Sequence, residues 1–128
     1  MRRIVLDAQY SVMTSALTMA LKQDGPDFQV QSAGPKTKDI VKLCRSCRAD
    51  VLLLEVCPHP PRTLQDRLLL VNDLLDVCPR CKTVLLVDEA EYPELAAAVC
   101  MAKKDRIIDD FVYASVSPAY LSAMIDSL

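Results

Sequence analysis

Short apolar segments alternate along the chain with longer stretches in which apolar residues recur at helical spacing. The short segments are residues 4–6, 28–33, 51–54, 84–87 and 110–113. Unbroken apolar runs of this length are typical of strands buried on both faces, and 28–33 alternates with the period of two expected of a strand. The pattern therefore predicts five strands.

The stretches between and after these segments predict five helices, at about 11–23, 37–48, 63–77, 92–104 and 117–128. The first carries its apolar positions at Val12, Ala16, Met19 and Ala20, with Leu17 and Leu21. The second has Ile40, Cys44 and Cys47, and the third has Leu64, Leu68, Val71, Leu75 and Cys78. Spacings of three and four place such residues on one face of a helix. The dipeptides at 25–26 and 34–35, both Gly-Pro, end the elements before them, and Ser117 is the type of residue that caps a helix N-terminus.

Five strand–helix units predict an α/β fold, with a parallel sheet covered by helices on both faces. The chain has 128 residues, and hydrophobic residues make up 52% of it, which is enough for one core and too little for two. We therefore expect a single domain over residues 1–128.

Charge and hydropathy exclude several classes of function. The net charge is −2, so we expect neither direct nucleic-acid binding nor attraction to an anionic membrane. No apolar run approaches the roughly 20 residues that cross a bilayer, and the N-terminus meets Asp7 too early for a signal peptide. We expect a cytoplasmic protein.

Acidic residues follow three of the predicted strands: Asp7, Glu55 and Asp88. In a parallel sheet, the carboxyl ends of the strands lie at one edge, where ligands usually bind. Three carboxylates there favour a hard cation such as Mg²⁺ or a raised carboxyl pKa. Polar residues also end strands by chance, so the cluster alone does not decide between these interpretations.

Over nearly its whole length, the chain resembles the receiver domain of two-component response regulators. The resemblance is carried by residues 4–8, 50–56 and 109–118, which stand at that family's acidic pair, phosphoacceptor strand and strand-five motif. It implies a flavodoxin-like (βα)5 fold with strand order 2-1-3-4-5. It also implies phosphorelay signalling, through a protein partner or an effector domain.

The reaction centre departs from the family pattern. Asp7 is kept, but Ala8 replaces its acidic neighbour and weakens the Mg²⁺ site that the family implies. Glu55 stands at the phosphoacceptor position, and its extra methylene displaces the attacking oxygen from the in-line geometry. The charge of Glu55 imitates a phosphorylated aspartate under one hypothesis and is purely structural under another.

The other motif positions differ as well. Asp88 replaces the hydroxyl residue of strand four, and Ala114 and Ser115 replace the lysine and proline of strand five. Phe111 stands at the switch-aromatic position, where it has no hydroxyl partner and is expected simply to pack. With so few positive charges expected at this edge, we predict no phosphotransfer catalysis, no cofactor and no enzyme, but a pseudo-receiver that binds partners, such as the N-terminal part of a transcriptional regulator. An active phosphoacceptor using Asp7 or Asp88 with Mg²⁺ stays open.

Two Cys-x-x-Cys pairs, at 44/47 and 78/81, have the spacing of a four-thiolate zinc site. A zinc-stabilised interaction domain through Cys44, Cys47, Cys78 and Cys81 is therefore a second alternative. The 30 residues between the pairs exceed the usual spacing, and three of these cysteines continue apolar stripes, so reduced structural thiols are the simpler expectation.

Two surface features complete the sequence picture. His59 lies between prolines with no nucleophile beside it, which favours a solvated loop residue. The mixed charges at residues 103–106 and 109–110 suit the family's symmetric dimer through helix four, strand five and helix five, although a solvated surface explains them equally well.

Overall fold

A computed structural model describes residues 2–24, 27–33 and 40–128. The strands are β1 (Arg2–Asp7), β2 (Phe28–Ser32), β3 (Val51–Val56), β4 (Lys82–Val87) and β5 (Asp110–Tyr113). The helices are α1 (Ser11–Asp24), α2 (Ile40–Cys47), α3 (Leu64–Val77), α4 (Pro93–Lys104) and α5 (Pro118–Asp126). All ten predicted elements are present. The predicted start of α2 at 37–39 and the stops at 25–26 and 34–35 lie outside the described residues.

The strands form one sheet in the order β2-β1-β3-β4-β5, and every neighbouring pair is parallel. The α/β class and the strand order 2-1-3-4-5 are therefore confirmed. Asp7 pairs with Leu54 across β1 and β3, and Glu55 pairs with Leu86 across β3 and β4. This register brings the carboxyl ends of the three central strands to one edge.

The sheet separates two hydrophobic core clusters. Side chains of β3 alternate between them: Leu52 and Leu54 join the cluster with α2, α3 and α4, while Val51 and Leu53 join the cluster with α1 and α5. All four are fully buried, as the unbroken apolar run predicts. A strand buried on both faces fixes its register, because a one-residue slip would exchange the two sets of side chains.

The predicted faces of two helices are wrong in part. In α1, Leu21 is buried, but Val12 and Met19 are 79% and 70% exposed. The apolar residues of α1 occur on all its sides, so their spacing does not determine which face is buried. Packing against α5 and the sheet buries the face with Met13, Leu17 and Leu21. In α3, Leu75 is 54% exposed.

The buried face of α3 is instead Arg67, Val71 and Leu74. The charged residue turns inward because it has partners at the carboxyl edge of the sheet, which are described below. The same helix, α3, begins at a capping box. The Thr63 hydroxyl accepts from the Asp66 amide at 3.1 Å, and the Asp66 carboxylate accepts from the Thr63 amide. Ser117 caps α5 as predicted, accepting from the Tyr120 amide at 3.1 Å.

Candidate functional site

The candidate site is the carboxyl edge of β1, β3 and β4, where the three predicted acids are placed by different strands. Asp7 ends β1 and is 2% exposed, while Glu55 and Asp88 are half-buried. Glu55 and Asp88 line one cavity of about 190 Å³, together with His59, Glu91 and Ala114. Asp7 is not part of that lining, so the predicted cluster divides into a buried carboxylate and two that face the cavity.

Asp7 is held by two arginines. The Arg67 Nη2 atom lies 2.7 Å from Asp7 Oδ2, and Arg62 Nη2 donates to Asp7 Oδ1 at 3.3 Å. Arg62 Nε also lies 3.3 Å from Asp7 Oδ2. Both carboxylate oxygens therefore face guanidinium groups, and charge-assisted contacts of this kind are the strong class of hydrogen bond.

Arg67 comes from the second turn of α3 and is 1% exposed. Its Nε donates to the Glu55 carbonyl at 2.8 Å, so one guanidinium joins the ends of β1 and β3. Burial lowers the pKa of Arg67, while the hydrogen bond to Asp7 opposes that shift. The group stays charged at neutral pH because the ordinary arginine pKa is so high.

The expectation of an edge poor in positive charge is wrong. The family's motif positions lie at the strand ends, whereas the arginines enter from the loop after β3 and from α3. They contact Asp7 rather than the carboxylate of Glu55. The burial of Arg67 is indicated by its spacing. Arg67 lies three residues after Leu64 and four before Val71, which places it on the apolar face of the helix.

Glu55, at the predicted phosphoacceptor position, accepts a hydrogen bond from the backbone amide of Gln9 at 2.6 Å. This contact fastens the loop after β1 to the end of β3. Ala8, in that same loop, is 9% exposed and presents only a methyl group. The carboxylate of Glu55 thus has a structural partner in the chain.

Asp88 organises the turn after β4. Its Oδ1 accepts from the Glu91 amide at 3.1 Å, and its carbonyl accepts from the Tyr92 amide at 2.8 Å. The neighbouring Glu89 carboxylate accepts a hydrogen bond from the Ser115 hydroxyl. This bond lowers the pKa of Glu89.

The end of β5 is tied to β4 at the two positions that depart from the family motif. The Ala114 amide donates to the Val87 carbonyl at 2.9 Å, and Ser115 contacts Glu89 as described.

Phe111 is half-buried against the core cluster of α2, α3 and α4, so the expectation that it packs agrees with its position. Its ring lies 5.5 Å from that of Tyr113 in an edge-on arrangement, and the Lys103 ammonium lies 5.7 Å from the Phe111 ring centre.

Several solved structures have the same architecture as this chain. A response regulator receiver domain protein from Clostridium thermocellum superposes with a TM-score of 0.75 at 16% identity, over 99% of this chain and 93% of that one. A CheY-like protein from Pseudomonas aeruginosa gives 0.74 at 21% identity, over 99% and 98%. A LuxR-family DNA-binding response regulator from Staphylococcus aureus gives 0.71 at 17% identity, over 99% and 98%.

The chain has the receiver fold. No protein-family model and no curated protein matches it in sequence. The resemblance inferred from the motif positions is thus confirmed in the architecture of the receiver domain. The side chains at the carboxyl edge of the sheet differ from the motif residues of that family.

Two further observations bear on the alternatives. Among the residues described, no three histidine, cysteine or acidic side chains already form a group that could hold a metal ion. Within the same ranges, no helix is both long enough and apolar enough to span a membrane.

Proposed function

We propose that this chain is an atypical receiver-like signalling module of a response regulator, which acts through protein–protein contacts and accepts no phosphoryl group by the usual aspartate, Mg²⁺ and lysine chemistry. The observation that carries the proposal is the contact of Arg67 and Arg62 with Asp7. In a phosphorylatable receiver, the resemblance assigns this aspartate to the metal.

A metal ion at Asp7 would have to replace a guanidinium that is itself buried. Breaking a buried ion pair costs on the order of 3–5 kcal/mol, because one charge is left without a partner in a poorly solvated site. Mg²⁺ also needs nearly octahedral oxygen ligands, and Ala8 supplies none from its side chain. These two terms act together against metal binding at this carboxylate.

The phosphoacceptor position and the position of the family's lysine are changed as well. Glu55 is already bound by the Gln9 amide at 2.6 Å, which supports the structural hypothesis over mimicry of a phosphoaspartate. At position 114, a methyl group stands where the family's lysine would neutralise an incoming phosphoryl group. Phosphoryl transfer depends on positioning and charge neutralisation, and both are weakened here.

The test is incubation with acetyl phosphate and Mg²⁺, followed by intact mass spectrometry, with a phosphorylatable receiver domain treated in parallel. We expect the control to gain one phosphoryl group and this chain to keep its mass. Peptide mapping of any modified fraction distinguishes the alternatives. A phosphoryl group on Asp7 or Asp88 would establish the active phosphoacceptor and overturn the proposal.

The interaction surface we propose is the face formed by α4, β5 and α5. It carries a groove of about 310 Å³ lined by Phe111, Tyr113, Val116 and Tyr120, and both tyrosines are exposed. Tyrosine is enriched at the energetic centres of interfaces. Lys103 lies 2.8 Å from Asp110 on the same chain, so this charge pair is satisfied without a partner.

The partner is a protein: a second copy of this chain, or an effector domain of a transcriptional regulator. One solved structure with the same fold is described as a DNA-binding response regulator, which supports the effector hypothesis. Size-exclusion chromatography with light scattering distinguishes the two. A dimer that is lost in Tyr120→Ser and kept in Tyr10→Ser, an exposed tyrosine on the loop before α1, would assign the face to self-association.

A further inference from the structure

An open groove of about 610 Å³ lies between α2 and α3, and it shares no lining residue with the groove on α4, β5 and α5. Apolar side chains from both helices line it: Val41 from α2, and Leu69, Leu70 and Val77 from α3. Leu69 is 62% exposed and Val77 is 39% exposed, so this apolar lining faces solvent. Apolar residues that share one groove and are rimmed by polar residues are typical of interaction sites.

The exposed side of α3 carries a stripe of residues distinct from its buried face. The buried face holds Arg67, Val71 and Leu74. The residues of α3 that line the groove are spaced by one or three positions: Asp66, Leu69, Leu70, Asp73, Asp76 and Val77. Residues three and four positions apart are neighbours on a helix surface. Aspartates and apolar residues therefore alternate along one stripe of α3, which spans about 16 Å of the helix axis.

The charge of the groove is negative. Three aspartates line it: Asp66, Asp73 and Asp76. Lys42 of α2 is the one cation that the described residues contribute to the lining. Asp66 is occupied by the capping box at the start of α3. Asp73 and Asp76 are exposed, and neither forms an ion pair within the part of the chain that the structure describes.

An occupant of this groove must match both its apolar surface and its charge. Apolar side chains are needed to cover Leu69 and Val77, and cations are needed beside Asp73 and Asp76. A neutral or acidic occupant would remove these carboxylates from water without giving them a partner, which is unfavourable. The same carboxylates repel nucleic acid and anionic lipid. The occupant that fits is therefore both apolar and basic.

The shape of the groove favours a helix. Its walls are the helices α2 and α3, and a third helix packs into such a groove through apolar residues three and four positions apart. From this combination of shape and charge we propose that the groove between α2 and α3 binds an amphipathic helix of a partner protein, with leucine-like residues on one face and lysine or arginine beside them. Charge complementarity then selects the partner and speeds association. The site is independent of the surface proposed on α4, β5 and α5, so each is tested without the other.

The test uses the full chain and a labelled synthetic peptide of about 14 residues, which is long enough for roughly 21 Å of helix. The peptide carries leucines three and four positions apart and lysines at the flanking positions, and a matched peptide has glutamate in place of each lysine. Fluorescence anisotropy should give a dissociation constant below about 100 μM for the lysine peptide and at least about tenfold weaker binding for the glutamate peptide. In NMR spectra of the chain, the amide shifts caused by the lysine peptide should cluster on α2 and α3.

Leu69→Ala removes an apolar side chain from the groove and should weaken binding of the lysine peptide by about tenfold. The matched control is Leu75→Ala, because Leu75 is also an exposed leucine of α3 but does not line the groove. The control should bind the peptide as the wild type does. Equal affinities of the two variants would overturn the proposal.

Asp73→Asn with Asp76→Asn removes two carboxylates from the groove and should also weaken binding by about tenfold. Its control is Asp27→Asn with Asp105→Asn, which removes two exposed carboxylates that do not line the groove and should keep the wild-type affinity. Equal losses in the two double variants would reveal unspecific charge attraction and overturn the proposal. Circular dichroism checks the fold of each variant, and if the groove double variant does not fold, the comparison of Leu69→Ala with Leu75→Ala decides.

Three results with the wild-type chain would also overturn the proposal. The first is a lysine peptide that does not bind, and the second is a glutamate peptide that binds equally well. The third is a set of amide shifts on α2 and α3 that changes with the concentration of the chain alone, which would assign the groove to a second copy.

Discussion

The Nη2 atom of Arg67 lies 2.7 Å from Oδ2 of Asp7, and the two residues are 1% and 2% exposed. They are 60 residues apart in the chain and belong to α3 and β1. A charge pair buried this deeply is stabilising only as a pair, because either charge alone would lack solvent. It therefore links the position of α3 to the end of the central strands.

Arg67→Met tests that link. We expect it to lower the free energy of unfolding by about 3–5 kcal/mol, because the charge of Asp7 would be left buried with only Arg62 beside it. Asp7→Asn combined with Arg67→Met should recover much of the loss, since it removes both charges. Urea unfolding measures both variants.

The control for this pair is Arg80→Met, which removes an exposed arginine and should change stability by less than about 0.5 kcal/mol. If Arg67→Met were as mild as the control, the contact with Asp7 would contribute little and the argument against metal binding at Asp7 would weaken.

Glu55 offers a second prediction, which separates a structural carboxylate from a phosphate mimic. Glu55→Gln keeps an oxygen that can accept from the Gln9 amide, so we expect a loss of at most about 1 kcal/mol. Glu55→Ala removes the acceptor and should cost about 1.5–3 kcal/mol, the usual range for a hydrogen bond to a charged group. Urea unfolding gives the stability of both variants.

Partner binding provides the complementary measurement for Glu55. A structural glutamate predicts that Glu55→Gln binds the partner, or forms the dimer, as the wild type does. A fall in binding that follows the lost charge, at unchanged stability, would point to mimicry instead.

The capping box at the start of α3 gives a third prediction. Thr63→Ala removes the hydroxyl that accepts from the Asp66 amide and should destabilise the chain by about 1 kcal/mol in thermal or urea unfolding. Thr14→Ala is the matched control, because the Thr14 hydroxyl only bonds back to the Tyr10 carbonyl within the first turn of α1. Equal losses in the two variants would show that the cap contributes nothing specific.

The contact between Ser115 and Glu89 predicts a pH dependence. A carboxyl whose folded pKa is lowered stabilises the fold above its unfolded pKa, and that contribution disappears as pH falls through the folded pKa. Ser115→Ala should therefore raise the pKa of Glu89 toward its ordinary value, lower the stability at neutral pH and reduce the stability that is lost as the pH falls. Carbon-detected NMR titration of the Glu89 carboxyl measures the pKa directly.

Ser46→Ala controls for the loss of a serine hydroxyl, since Ser46 lies on α2, at a distance from the end of β5. It should leave the titration of Glu89 unchanged. If Glu89 titrates identically in Ser115→Ala and the wild type, the hydroxyl contact is absent in solution.

The fold followed from the sequence because each element has an unambiguous local pattern. The apolar run from Val51 to Leu54 and the cap at Ser117 are read from a few adjacent residues, and the structure agrees with both. The faces of α1 were harder, because a helix apolar on all sides is oriented only by what packs against it.

The candidate site was less accessible to sequence reasoning. The strand ends placed Asp7, Glu55 and Asp88 correctly at one edge, but side-chain partners depend on long-range geometry. Arg67 and Asp7 are brought together by the position of α3 over the sheet, which no local pattern encodes.

The bonds from Ala114 to Val87 and from Ser115 to Glu89 have a consequence for how α4, β5 and α5 present their shared surface. Contacts within the chain hold the loop after β4 against the end of β5 without any added group. A partner that recognises this surface would find it already formed. The bound fraction would then depend on the concentrations of the two proteins and would require no prior covalent modification.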